Sequence, residues 1–167
     1  TGAFAAGDIV NANPIQVFDN VNTGTTHILT PSGLTIKNGG GTDVTGNYNI
    51  TYTISPATGV INKSGVTVSA LTDAKTYNGT TGSLVAPTIT GAFAAGDVAN
   101  VAPLQVFDNA NVGIAHVLTP SGLTIKNGIG TDVTNNYAIT YLVSPATGVI
   151  NKMGVTVTSV TDSRIYN

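Results

Sequence analysis

The sequence predicts an all-β chain of tandem small antiparallel β-sandwich modules, immunoglobulin-like in type, with a β-grasp-like module as the alternative. Three observations carry that prediction. Short apolar/polar alternations recur every ten residues or so, as in Val66, Val68 and Ala70 set against Thr67 and Ser69. Turn-forming clusters such as Asn38-Gly39-Gly40-Gly41 and Asn78-Gly79 separate them. Nothing in the chain sustains a helical period, and the connections are short enough to imply antiparallel neighbours.

In chain order, Ala3 to Asp8 has room for one helical turn and no more. Ile15 to Phe18 and Thr26 to Leu29 are strand-like, and Pro31-Ser32-Gly33 breaks the pattern before a third short run, Leu34 to Lys37. The glycine cluster after Lys37 reads as a hairpin loop, because glycine and asparagine tolerate the positive φ that tight turns require. Asp43 to Asn47 allows a second helical turn. Ile50, Tyr52 and Ile54 then alternate with Asn49, Thr51 and Thr53, Ser55-Pro56 ends that run, and Gly59 to Asn62 follows as another strand. The next is Gly65-Val66-Thr67-Val68-Ser69.

Every element recurs 89 residues later. Phe4 maps onto Phe93, His27 onto His116 and Tyr77 onto Tyr166, with 56 identities between residues 1–78 and 90–167. Several differences are close in size, such as Ile9/Val98, Ile28/Val117 and Leu71/Val160, which is what a packed interior tolerates. A module of 89 residues is large enough to fold alone, so modules in series are expected in place of a continuous solenoid. The repeat is out of phase with the chain: residues 1–64 read as a first module without its opening strand or strands, 65–152 as a complete module, and 153–167 as the opening strand of a third. The expectation is an excerpt of a longer array. The sharper alternative is that Gly154 to Asn167 completes the first module of another chain, building a filament head to tail.

Composition narrows the function classes. The 167 residues contain no Cys and no Trp, all eight acidic residues are Asp, and five Lys and Arg164 give a net charge of −2 with no basic cluster. Disulfide scaffolds and cysteine-ligated zinc are excluded, nucleic acid is not a suitable partner, and no apolar run is long enough to cross a membrane as a helix. Thr, Asn, Gly and Ser replace the usual Lys and Glu, as on an extracellular surface.

Tyr77-Asn78-Gly79-Thr80-Thr81 resembles the Tyr-Asp-Gly-Thr-Thr signature of YDG repeats in large bacterial exported adhesins, including filamentous-haemagglutinin-like two-partner-secreted proteins. The resemblance continues through Phe107-Asp108-Asn109-Ala110-Asn111-Val112-Gly113, Ser121-Gly122-Leu123-Thr124, Asn136-Tyr137 and Ala146-Thr147-Gly148-Val149-Ile150. Asn78 stands where the family has Asp, and Asn22-Thr23-Gly24 departs from its Asn-Val-Gly element. The resemblance implies stalk or adhesive modules and brings no catalytic residues.

Candidate chemistry is sparse. His27 and His116 stand one per module with no Cys, Glu or second His near them, a poor metal site. Asp8, Asp19, Asp43 and Asp73 recur as Asp97, Asp108, Asp132 and Asp162, but without the alternating ligands of a calcium loop they read as turn caps. Gly39-Gly40-Gly41 lacks the Gly-Lys-Ser/Thr of a phosphate loop, and Ser32, Ser55, Ser121 and Ser144 lie in turns without a nucleophile-elbow pattern. Tyr48, Tyr52 and Tyr77 read as strand and core residues, and the sequons at Asn49, Asn62 and Asn78 are as frequent as the composition predicts. No catalytic, cofactor-binding or metal-binding residue is therefore assigned. The expected function is a structural or adhesive module of a bacterial extracellular fibre, stalk or filament. Its expected partners are neighbouring copies of itself, with a ligand-binding adhesin module for glycan or protein as the alternative.

Overall fold

The computed structural model describes residues 2–54, 58–143 and 147–166, so the expected breaks at Ser55-Pro56 and Ser144-Pro145 lie outside the described residues. The chain is all-β and divides into two compact units, Thr1–Lys63 and Ser64–Asn167. Among the described residues no helix is long and apolar enough to cross a membrane.

The first unit holds β1 (Ile9–Ala12), β2 (Ile15–Phe18), β3 (Gly24–Ser32), β4 (Thr35–Lys37) and β5 (Thr58–Ile61). They form a β1-β4 pair and a β2-β3-β5 sheet, antiparallel throughout. The second unit opens with β6 (Ser64–Ser69), β7 (Asp73–Thr76) and β8 (Thr88–Thr90). It continues with β9 (Val98–Val101), β10 (Leu104–Phe107), β11 (Gly113–Ser121), β12 (Thr124–Lys126), β13 (Tyr137–Leu142) and β14 (Thr147–Asn151). Here β9 and β12 repeat the small pair, while β10-β11-β14-β7 and β13-β6-β8 form sheets of four and three strands. β11 of the larger sheet packs against β13 and β6 of the smaller, giving the layered sandwich the alternating pattern predicts.

Local chemistry accounts for these elements. Along β6, Val66 and Val68 are buried while Thr67 and Ser69 are not, the period of two that a sheet imposes. The loop after β4 closes because the Asn38 carboxamide oxygen accepts from the Gly40 and Thr42 amides, with Gly41 at φ +86° where a side chain would be strained. The expected helical turn at Asp43 to Asn47 is a single 3₁₀ turn, Thr45–Asn47, repeated at Thr134–Asn136. Asp43 and Asp132 cap these turns, each carboxylate accepting from a threonine amide at 2.8 Å. Among the described residues there is no α-helix, the element a β-grasp-like module would need.

Two findings correct the sequence expectations. The pairing is not purely antiparallel: β13 runs parallel to β6, from Tyr137 beside Ser64 to Leu142 beside Ser69, and β14 runs parallel to β7, from Gly148 beside Asp73 to Asn151 beside Thr76. Connection length indicates hairpins between consecutive strands, but these partners are separated by most of the module and meet only through the core. Second, Ile50, Tyr52 and Ile54 form no strand, although the same pattern at Ile139 and Tyr141 lies in β13. The physical reason is the partner, because β13 is hydrogen-bonded to β6 and, among the described residues, no strand lies beside Ile50 to Ile54.

Two apolar clusters form the core of the second unit. Val66, Val68, Leu123, Ile125 and Tyr137 make one, flanked by Phe93, Ala99, Val133 and Ile139; Ala70, Phe107, Leu118 and Ile150 make the other. Val66 and Val68 of β6 thus belong to the first cluster, and Ala70, just past the end of β6, to the second.

Candidate functional site

The residues with recognisable chemistry are used within the fold. His116 sits in β11, and Asp108 directly follows β10, so the β10–β11 hairpin brings them together although eight residues separate them. The His116 Nδ1 lies 2.6 Å from the Asp108 carboxylate, and the His27–Asp19 pair repeats this at 2.7 Å. A carboxylate only accepts, so Nδ1–H is the donor. The hydrogen bond from histidine holds each of these carboxyls below the usual carboxylate range. Each imidazole stands edge-on to a phenylalanine, Phe18 or Phe107, at 5.7 Å between centroids. The Nε2 atoms are buried and have no hydrogen-bond partner among the described residues. They press on the backbone of Gly24 and Gly113, where an added Cβ would stand 2.9 and 2.8 Å away. Held at Nδ1 by the carboxylate and packed at Nε2 against glycine backbone, each imidazole clamps its hairpin.

Other candidates are equally occupied. The Tyr48 and Tyr137 hydroxyls donate to Asp8 and Asp97 at 2.7 and 2.6 Å and accept from the Ala5 and Ala94 amides at 2.9 Å. The Asp8 hydrogen bond raises Tyr48 above the ordinary phenol range; burial, then the Asp97 hydrogen bond, raises Tyr137. Asp73 accepts from the Ser83 hydroxyl at 2.7 Å. Among the described residues no three His, Cys, Asp or Glu side chains converge as a metal site would require.

The Tyr77-Asn78-Gly79-Thr80-Thr81 turn encloses a buried cation. The Lys75 ammonium donates to the Thr80 carbonyl at 2.6 Å, the Gly82 carbonyl at 2.9 Å and the Asn78 carboxamide oxygen at 3.3 Å, and stands 4.9 Å from the centroid of the Phe107 ring. Sequence reasoning passed over Lys75, since a lone lysine between Ala74 and Thr76 reads as a solvated strand residue. The detectable signal was its position two residues before the turn motif.

A groove also opens in the first unit. Phe4, Leu34, Ile36, Tyr48 and Ile50 line an open hollow of about 390 Å³. Their counterparts one repeat later, Phe93, Leu123, Ile125, Tyr137 and Ile139, enclose Val66 and Val68. Nearby, Phe18 is 43 % exposed whereas Phe107 is 2 % exposed. Residues 152–166 belong to no strand and are exposed along their length, with Val155, Val157 and Val160 all more than four-fifths accessible.

Comparison with known families now adds one finding: a family model described as the YDG domain matches residues 62–148, more than half of the chain. The chain belongs to the YDG domain family. The YDG match opens just before β6 and closes inside β14, so it takes in the Lys75 turn, the His116–Asp108 hairpin, the whole β6–β13 pairing and the first residue pair of β7–β14. No curated protein and no solved structure matches the chain.

Proposed function

We propose that the chain is a structural, load-bearing repeat of a bacterial extracellular fibre, stalk or filament, with adhesive surfaces carried by the array and no catalysis. The observation that carries this reading is the parallel ladder between the two ends of the YDG module. β6 and β7 run beside β13 and β14, and the ladder extends through the Ala70 amide to the Leu142 carbonyl and the Tyr77 amide to the Asn151 carbonyl. In such a ladder the chain enters at one end and leaves at the other. Tension between entry and exit therefore loads all the inter-strand hydrogen bonds in shear, and they must break together.

The test is single-molecule pulling of the chain through handles at Ser64 and Lys152, compared with handles at Leu104 and Ser121, which peel the β10–β11 hairpin open. A severalfold higher unfolding force in the first geometry supports the load-bearing role. Equal forces in both geometries defeat it. Antibody labelling of unpermeabilised cells tests the extracellular placement independently.

A further inference from the structure

We propose that the Tyr77-Asn78-Gly79-Thr80 turn is a self-modification site: Asn78 closes on the Gly79 nitrogen as a succinimide and opens to aspartate, with Lys75 and Thr80 as the catalytic donors. Water is the only co-reactant. The proposal goes beyond the load-bearing role and stands or falls separately from it.

The donor geometry carries it. Three hydrogens converge on one atom, the Asn78 carboxamide oxygen: the Thr80 hydroxyl donates at 2.9 Å, the Thr80 amide at 3.1 Å and the Lys75 ammonium at 3.3 Å. A carboxamide oxygen has two lone pairs. The tetrahedral oxyanion that forms when a nucleophile adds to Cγ has three, and a full negative charge. The turn thus holds one donor more than the resting amide can use, and a cation is among them, so the set fits the transition state better than the ground state. Lys75 is already in place, buried and held by the Thr80 and Gly82 carbonyls.

The nucleophile is the next atom along the chain, the Gly79 nitrogen, which closes a five-membered ring on Cγ. Gly79 has φ +74° and nothing within 4 Å of where a Cβ would stand, so the approach is unhindered. The bond from the Gly79 nitrogen to Cγ forms, the Cγ–Nδ2 bond breaks, and ammonia leaves with the Gly79 amide proton. Water then adds to the imide. Asn78 is exposed, so ammonia departs to solvent and water enters from it. Lys75 and Thr80 polarise the Cγ carbonyl and not the main-chain one. Water therefore attacks Cγ, the bond from nitrogen to Cγ breaks, the Gly79 N–H is restored, and the product is aspartate in place of isoaspartate. Its carboxylate faces the ammonium that helped to form it.

The chain carries its own comparison sites. Asn-Gly also occurs at Asn38-Gly39 and Asn127-Gly128. There the carboxamide oxygen accepts from two backbone amides, those of Gly40 and Thr42 or of Ile129 and Thr131. Two donors match the two lone pairs of the resting amide and lower the ground state as much as anything that follows it.

The test is peptide mapping of the purified 167-residue chain during incubation in warm neutral buffer, with fragmentation that separates aspartate from isoaspartate. Asn78 should convert severalfold faster than Asn38 and Asn127, and to aspartate in excess. A synthetic peptide of residues 74–84 supplies the product ratio without the folded donors. Lys75→Met keeps an unbranched apolar stem beside Phe107 and removes the charge; it should slow Asn78 by about tenfold, the worth of one charge-assisted hydrogen bond, and move the products toward the ratio of the free peptide. Thr80→Val removes the hydroxyl donor and should slow Asn78 severalfold, while Thr80→Ser should keep the native rate. Thr80 is exposed, so this pair reports on the chemistry even if Lys75→Met fails to fold. Conversion at Asn78 no faster than at the two comparison sites, a product ratio equal to that of the free peptide, or an unchanged rate in Thr80→Val overturns the proposal. Each of these failures leaves the pulling experiment, and the load-bearing role, unaffected.

Discussion

At the residue scale, the repeat's invariant positions answer to close contacts that only a packed module reveals. Gly148 is the plainest: a Cβ there would sit 2.5 Å from the Phe107 ring and 3.2 Å from the His116 Cβ. Gly148→Ala should cost about 1–3 kcal/mol by overpacking, measured as a lower urea midpoint with unchanged slope. Lys75→Ala empties the cage of carbonyls beside Phe107 and should cost about 2–4 kcal/mol in the same assay. Asn78→Asp puts a carboxylate beside that ammonium and should raise stability by up to about 1 kcal/mol, which gives the family's Asp a physical reason. Acid dependence follows from the lowered carboxyls of Asp19, Asp43, Asp108 and Asp132. A carboxyl whose folded pKa is depressed contributes stability that is present above its unfolded value, about 3.9, and lost as pH falls through the folded one. The melting temperature should therefore fall below about pH 4, and Asp108→Asn should flatten that fall.

At the scale of elements, strand formation depends on the partner at least as much as on the segment. Tyr48–Thr53 and Tyr137–Leu142 share their alternating pattern, yet only the second is a strand, because β6 lies beside it. Hydrogen exchange makes the contrast measurable. Amides of β13 should be protected and those of residues 48–53 should exchange rapidly at low protein concentration, together with residues 154–166.

At the scale of the whole molecule, the two units have the same sequence plan but different degrees of closure. The second buries Phe107, Leu118, Ile125, Tyr137 and Ile150; in the first, Phe18 is exposed and Leu29, Tyr48 and Ile61 are only partly covered. Since apolar burial is the main favourable term in folding, calorimetry should resolve two transitions, the first unit melting below the second. Substitution at Gly148 should move only the upper one.

Much of this was legible without coordinates, because it is local. The positions of β2, β4 and β5, the glycine loop after β4, the turn contacts of Asp43 and Asp132 and the 89-residue period all follow from alternation, turn chemistry and self-comparison, whereas Asp8, Asp19 and Asp73 hold side chains distant in sequence. What only the tertiary structure decided is non-local: the parallel direction of β6 and β7 against β13 and β14, the meeting of His116 with Asp108, and the burial of Lys75 under the turn. Alternation says which face of a strand is buried, but it is the same for parallel and antiparallel neighbours. The choice between them is made by contacts between segments about seventy residues apart, whose closure the sequence of neither segment records.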